Sequence, residues 1–210
     1  MTDAAERWQG ELGREYTRRN SVSEDALDAM YVERFGISRS ALNQEFLAPL
    51  TLRSALEVGC NVGMQLRHLR RLTGARMAGV DLQQSALDEA RAILPHAELL
   101  QGQATELPFR DGSFDLVFTS GVLIHVPPSD LVRVMDEIHR VSSRWIWGFE
   151  YWAATPTEVA YRGQSGLLWK RDFRVAWQER FPTLRLVKER RLPHRNGPDL
   201  CDVMYLLEKP

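Results

Sequence analysis

The segment Ala55-Leu56-Glu57-Val58-Gly59-Cys60-Asn61-Val62-Gly63 passes from an apolar run directly into a turn holding two glycines, and Asp81 ends the next apolar run. Together they describe a buried strand, a turn too tight for bulky side chains, a helix start, and a carboxylate delivered beside the turn by a second strand. Few architectures accommodate that junction, and it predicts a nucleoside-binding crevice in an α/β sheet. The turn is not GxGxxG, because Asn61 interrupts it and nothing elsewhere offers a hydride-transfer site. An NAD-dependent dehydrogenase is therefore the weaker reading.

The first part of the chain, 1–48, reads as a helical cap with helices over 6–19, 24–35 and 38–48, and Pro49 marks its boundary with a core over 49–210. Downstream, strands over 54–58, 76–81, 97–101, 114–120 and 145–151 alternate with helices over 62–72, 83–94 and 129–141, which argues for parallel strands covered on both faces. A weakly patterned stretch, 152–171, predicts a long loop of the kind that is usually functional. A short helix over 172–181 precedes strands over 184–189 and 200–208. Pro193-His194-Arg195-Asn196-Gly197-Pro198 between them is turn chemistry, so the chain should close as an antiparallel pair.

A length of 210 residues, 44% of them hydrophobic and 26% charged, suits one domain with a three-layer core. The formal net charge of -1 gives no pull toward nucleic acid or an anionic membrane, and no apolar run nears the roughly 20 residues of a membrane span. The start carries no basic end followed by an apolar block, so a cytoplasmic protein is expected. Cys60 and Cys201 form neither a disulfide framework nor a metal-ligand cluster, and no bound metal is expected. Arg67, Arg70 and Arg71 read as a solvated helix face. Trp145, Trp147 and Phe149 alternate along one strand face and read as core rather than a stacking platform.

Glu57, Gly59, Gly63, Asp81, Gln103-Ala104 and Asp115 at these spacings resemble the class I S-adenosylmethionine-dependent methyltransferases. The resemblance implies a Rossmann-like sheet of seven strands, mostly parallel with an antiparallel C-terminal strand, and S-adenosylmethionine as cofactor with S-adenosylhomocysteine as product. It further implies that Glu57 orients the turn and the methionine end of the cofactor, near backbone of Gly59 and Cys60. Asn61 tolerates positive φ and keeps the turn, Asp81 takes the ribose hydroxyls, and Leu82, Gln103 and Ala104 border the adenine. Gln103 stands where many relatives carry an acid. Ser120 offers a carbonyl to the cofactor's amino group.

Trp8-Gln9-Gly10-Glu11-Leu12-Gly13-Arg14-Glu15-Tyr16, Gly121-Val122-Leu123-Ile124-His125, Tyr161-Arg162-Gly163 and Lys170-Arg171-Asp172-Phe173 extend the likeness over most of the chain. They resemble the small methylases associated with pseudaminic acid biosynthesis. The implied reaction is methyl transfer to oxygen or nitrogen of a small metabolite, such as a sugar, an amino acid or a natural-product precursor, by a monomer or homodimer. A binding-only scaffold or pathway partner is the alternative.

Acceptor-side candidates follow from position. His125 comes after the fourth strand, where an imidazole with an ordinary pKa near 6.5 suits proton removal, or equally supports the helix entry. Glu150 and Tyr151 end the fifth strand on the same edge and read either as holders of an acceptor hydroxyl or amine or as a rim pair. Tyr16 and Asn20 lie one helical turn apart on an expected lid helix, and Trp8 and Tyr16 serve equally as anchors of that helix. Tyr161 and Arg162 occupy the long loop, where Arg162 is either a fork for a carboxylate or phosphate or an exposed surface arginine.

Overall fold

The computed structural model describes residues 2–210, the side chain of Pro198 aside. Four helices come first: α1 (Asp3–Gln9), α2 (Glu11–Asn20), α3 (Glu24–Phe35) and α4 (Arg39–Leu47). The single helix expected over 6–19 is broken at Gly10, where ψ is -149° and the amide turns back onto Glu6 and Arg7 carbonyls. Glycine costs about 1 kcal/mol in a helix interior, and here that weakness becomes a corner. Ser23 and Ser38 cap α3 and α4 by accepting the amides of Ala26 and Ala41.

The core then alternates through β1 (Ser54–Val58), α5 (Met64–Thr73), β2 (Arg76–Asp81), α6 (Gln84–Ile93), β3 (Glu98–Gln101), β4 (Phe114–Ser120), a 3₁₀ turn at Leu123–His125, α7 (Pro128–Val141) and β5 (Ser142–Tyr151). Pro128 opens α7 at a position that needs no amide donor. After β5 come β6 (Thr157–Glu158), β7 (Trp169–Lys170), α8 (Phe173–Arg180), β8 (Arg185–His194) and β9 (Gly197–Glu208).

The main sheet has seven strands in the order β3-β2-β1-β4-β5-β9-β8. β1 to β5 pair in parallel, and β9 enters antiparallel between β5 and β8. This is the class I methyltransferase sheet. Its strand order reverses between β1 and β4, and that switch point opens a crevice at the carboxyl edge. Because β9 runs backwards, its beginning lies beside the end of β5, with Asp202 opposite Tyr151. Two buried clusters fill the two faces. One packs α7 and α8 beneath Leu56, Val117, Ile146 and Tyr205; the other packs α4, α5 and α6 over Phe118, Trp147, Met204 and Leu206. Trp145, Trp147 and Phe149 all belong to the second, as their alternation predicts.

Three elements differ from the sequence expectation. β8 and β9 run into the turn at 193–198, leaving only Arg195 and Asn196 between them. The long loop is an ordered cover, tied by the β6–β7 ribbon, by Gly166 N–H on Glu158 Oε1 at 2.6 Å, and by burial of Leu167 and Leu168. The arginine face of α5 is not merely solvated: Arg67 Nε pairs with Glu24 Oε1 at 3.0 Å and Arg71 clasps the other oxygen, which fastens α3 to the core.

Candidate functional site

The turn after β1 is built by backbone and one carboxylate. Gly59 and Cys60 amides both donate to the Val80 carbonyl, at 2.7 and 3.0 Å. Asp81 then accepts the Asn61 amide on Oδ2 at 2.8 Å and the Gln83 amide on Oδ1 at 2.9 Å. Gly59 sits at φ 73°, and a Cβ there would lie 2.6 Å from Val122 Cγ2, so any other residue is strained and must displace Val122. Asn61 adopts φ 47° as expected. Its side chain does more than permit the turn: Nδ2 donates to the buried Thr17 hydroxyl of α2 at 2.7 Å, while Oδ1 takes the Val62 amide. A glycine at that position could not tie the cap to the turn.

Glu57 lies buried at the end of β1, and its Oε2 has no partner. Burial pushes its carboxyl well above the ordinary range, opposed by the positive charge of Arg39. Arg39, fully buried on α4, donates from Nε to Asn43 Oδ1 at 2.9 Å and from a terminal nitrogen to the Tyr31 hydroxyl at 2.8 Å. Its guanidinium lies over Phe149, Trp147 and Tyr31, at 4.7, 5.2 and 5.4 Å from the ring centroids. Aromatic faces substitute here for part of the lost hydration.

A cavity of about 480 Å³ opens at this edge, within the range typical of small-ligand sites. Its lining includes Glu57, Gly59, Cys60, Asn61, Asp81, Leu82, Gln103, Ala104 and Ser120, together with Tyr16, Asn20, His125, Tyr151, Tyr161 and Arg162. Gly63 and Glu150 do not line it. Gly63, at φ 73°, instead starts α5 and packs against Leu94.

Glu150 corrects the sequence expectation. Fully buried, it accepts the amides of Val122 and Leu123 on Oε1 at 3.3 and 3.2 Å, and that of Ile124 on Oε2 at 3.4 Å. Burial pushes its carboxyl up to about 7, against these bonds and one from the Thr119 hydroxyl. Its place is beneath the 3₁₀ turn that carries His125, away from the acceptor space. His125 itself is not an imidazole of ordinary basicity: burial lowers its pKa to about 4. Nδ1 donates to the Leu167 carbonyl at 2.7 Å, leaving the lone pair on Nε2. Tyr151 is pushed up to about 12 by burial, and Tyr16 is raised further, so both enter the site as neutral phenols.

Trp8, Tyr16, His125 and Tyr161 form one aromatic group. Trp8 stands 4.3 Å from His125, 5.6 Å from Tyr16 and 5.7 Å from Tyr161 between ring centroids. α1 is tied to the start of α7 by Thr2 on Asp130 at 3.0 Å and to the loop by Arg7 on Gln164 and on the Ser165 carbonyl. The cap and the loop thus close the cavity from one side.

Sequence reasoning missed Tyr31, Arg34 and Asp202, which line the same cavity. Tyr31 and Arg34 lie on a helix whose pattern marks no site. Asp202 is one of three acids on β9, and its one available signal was position, opposite the end of β5. Among the described residues no group of three or more His, Cys, Asp or Glu side chains is placed to hold a metal ion. Among the described residues no helix is long and apolar enough to cross a membrane.

Residues 55–144 match the family model described as a methyltransferase domain. An uncharacterised methyltransferase of Synechocystis is 36% identical over 42% of this chain and 42% of its own length. A probable S-adenosylmethionine-dependent methyltransferase of Mycobacterium tuberculosis is 29% identical over 57% of this chain and 43% of its own. The chain thus spans about four-tenths of the length of these curated relatives. Among solved structures, a chain of the complex between the Haloferax volcanii Trm112 methyltransferase activator and a methyltransferase superposes over 100% of this chain and 99% of its own. Its TM-score is 0.68 at 15% identity.

Proposed function

From the premise of a methyltransferase domain over residues 55–144, we propose that this protein transfers a methyl group from S-adenosylmethionine to oxygen or nitrogen of a small acceptor. One observation carries the reading: the Gly59–Gly63 turn, clamped by Asp81 and backed by Glu57, faces a cavity whose far side is polar and aromatic.

The residues present fit the donor. Each Asp81 oxygen has spent one acceptor position on a backbone amide and keeps another for a ribose hydroxyl. The partnerless Glu57 Oε2 suits a donor group at the methionine end. Leu82, Gln103 and Ala104 border the adenine, and Ser120 offers its carbonyl. When bound, the sulfonium supplies a methyl carbon on a good leaving group, so the protein's task is alignment and exclusion of water.

The chain's own groups perform that task. Trp8, Tyr16 and Tyr161 cover the reacting end. The Nε2 lone pair of His125 accepts a hydrogen bond or a proton from the acceptor, while Glu150 fixes the turn beneath it. Tyr151 presents a neutral hydroxyl, and Arg162, held at φ 51° on the loop, suits an acceptor carboxylate or phosphate. A sugar, an amino acid or a natural-product precursor is the acceptor class, and a monomer or homodimer in the cytoplasm is the working form.

Calorimetry with S-adenosylhomocysteine and with NAD tests the donor. Saturable binding of the first alone is expected, and binding of NAD alone rejects the reading. Label passing from methyl-tritiated donor to low-mass metabolites separates an enzyme from a binding-only scaffold.

A further inference from the structure

At the end of the cavity away from Gly59, β9 contributes a carboxylate that the cofactor assignment does not use. Asp202 is 2% exposed and lines the cavity. His194 of β8 donates from Nε2 to Asp202 Oδ1 at 3.1 Å, and the Phe35 ring meets His194 edge-on at 5.1 Å, fixing its orientation. Asp202 Oδ2 is buried and has no partner. An unpaired buried acceptor on a carboxylate is destabilising, and a ligand bearing a donor relieves that on binding. The antiparallel entry of β9 puts this group at the carboxyl edge, beside Tyr151, where open α/β sheets bind ligands.

We propose that Asp202, braced by His194, anchors the acceptor by taking a hydrogen bond on Oδ2 from an amine or hydroxyl. The inference rests on the methyltransferase reading and narrows its substrate class to polar amines and alcohols. An acceptor that offers only a carboxylate to this end is repelled by the buried acid. The surrounding groups agree. Tyr31 from α3, Tyr151 from β5 and Phe149 give the subsite aromatic walls; burial raises the Asp202 pKa, opposed by the His194 hydrogen bond and by the charges of His194, Arg34 of α3 and Lys170 of β7.

The test uses three probes with one ring: benzylamine, benzyl alcohol and benzoate, followed by ligand-observed NMR on protein saturated with S-adenosylhomocysteine. The amine and alcohol are expected to bind through Asp202, whereas benzoate, which Arg162 can hold elsewhere in the cavity, is judged by its response to Asp202→Asn. Asp202→Asn keeps an acceptor oxygen for His194 and turns an amide N–H₂ toward the cavity. It should weaken the amine by about ten- to a hundredfold, weaken the alcohol less because its oxygen accepts from the new N–H₂, improve benzoate, and leave S-adenosylhomocysteine affinity within about twofold. A purely structural Asp202–His194 pair would lower the melting temperature without inverting that preference. His194→Gln, at a half-buried position, should weaken both donors several-fold and gives the test a second variant should Asp202→Asn not fold.

An amine insensitive to Asp202→Asn, benzoate weakened by that substitution as much as the amine, or no binding by either donor would each overturn the inference. Failure of S-adenosylhomocysteine to bind the wild-type protein would instead remove the methyltransferase reading. The same probe series on the unliganded protein still decides whether Asp202 discriminates.

Discussion

Replacing Asp81 by alanine perturbs two things at once, and the structure separates their magnitudes. The carboxylate holds the Asn61 and Gln83 amides at 2.8 and 2.9 Å, so its loss leaves two partly buried N–H groups without partners, each costing about 1–3 kcal/mol. Burial raises the Asp81 pKa, so removing the charge returns part of that sum. A net destabilisation of about 2 kcal/mol follows. The ligand loses more. Two hydrogen bonds from ribose hydroxyls to a charged acceptor contribute about 3 kcal/mol at the lower end, a loss on the order of a hundredfold in affinity. Asp81→Asn, which keeps one acceptor oxygen, should fall between wild type and alanine in both respects. Calorimetry with S-adenosylhomocysteine gives the affinities and urea unfolding gives the stabilities. If Asp81→Ala binds within about threefold of wild type while its stability has dropped as stated, the carboxylate serves the turn alone and the ribose contact is wrong.

Three further outcomes are expected. Glu150, raised from 4.5 to about 7, makes the native state hold more protons than the unfolded chain between those values. Its contribution is therefore full below about pH 4.5 and lost as pH rises through about 7, amounting to about 3 kcal/mol; Glu150→Gln should flatten that part of the unfolding free energy against pH, and an unchanged slope would contradict the burial argument. His125 is neutral above about pH 5, so the pH–rate profile should lack a His125 inflection near 6.5; an inflection there that vanishes in His125→Asn would refute its depressed pKa. Arg39→Met removes the bonds to Tyr31 and Asn43 and the cation facing Glu57, and should cost about 3 kcal/mol in urea unfolding, with a loss below 1 kcal/mol counting against the assignment.

Much of this fold was legible because its strands carry local signals. β1, β2 and β4 begin and end where apolar runs and turn residues place them, and the Gly59–Gly63 turn follows from sterics that any sequence must obey. What escaped was set by tertiary partners. Gly10 splits a helix that periodicity alone would continue. Glu150 ends its strand with the same local pattern a ligand-facing acid would have, and only the amides of 122–124 above it decide otherwise. His125 carried a legible position and an illegible basicity, because burial is a property of the packed cap. Asp202 and His194 meet only through hairpin register, and that register depends on how far β8 and β9 extend into their turn.

The hairpin of β8 and β9 reaches across the sheet edge to the cap: the Arg195 amide donates to the Arg34 carbonyl at 2.8 Å, and Lys188 pairs with Glu45 at 2.9 Å. The walls of the distal subsite therefore combine α3 and the β8–β9 hairpin, far apart in sequence, with the end of β5. An engineer seeking altered selectivity should exchange the 24–47 and 185–208 portions as a matched set, grafting both onto an untouched donor-binding middle; moving either one alone would strand charges at the seam.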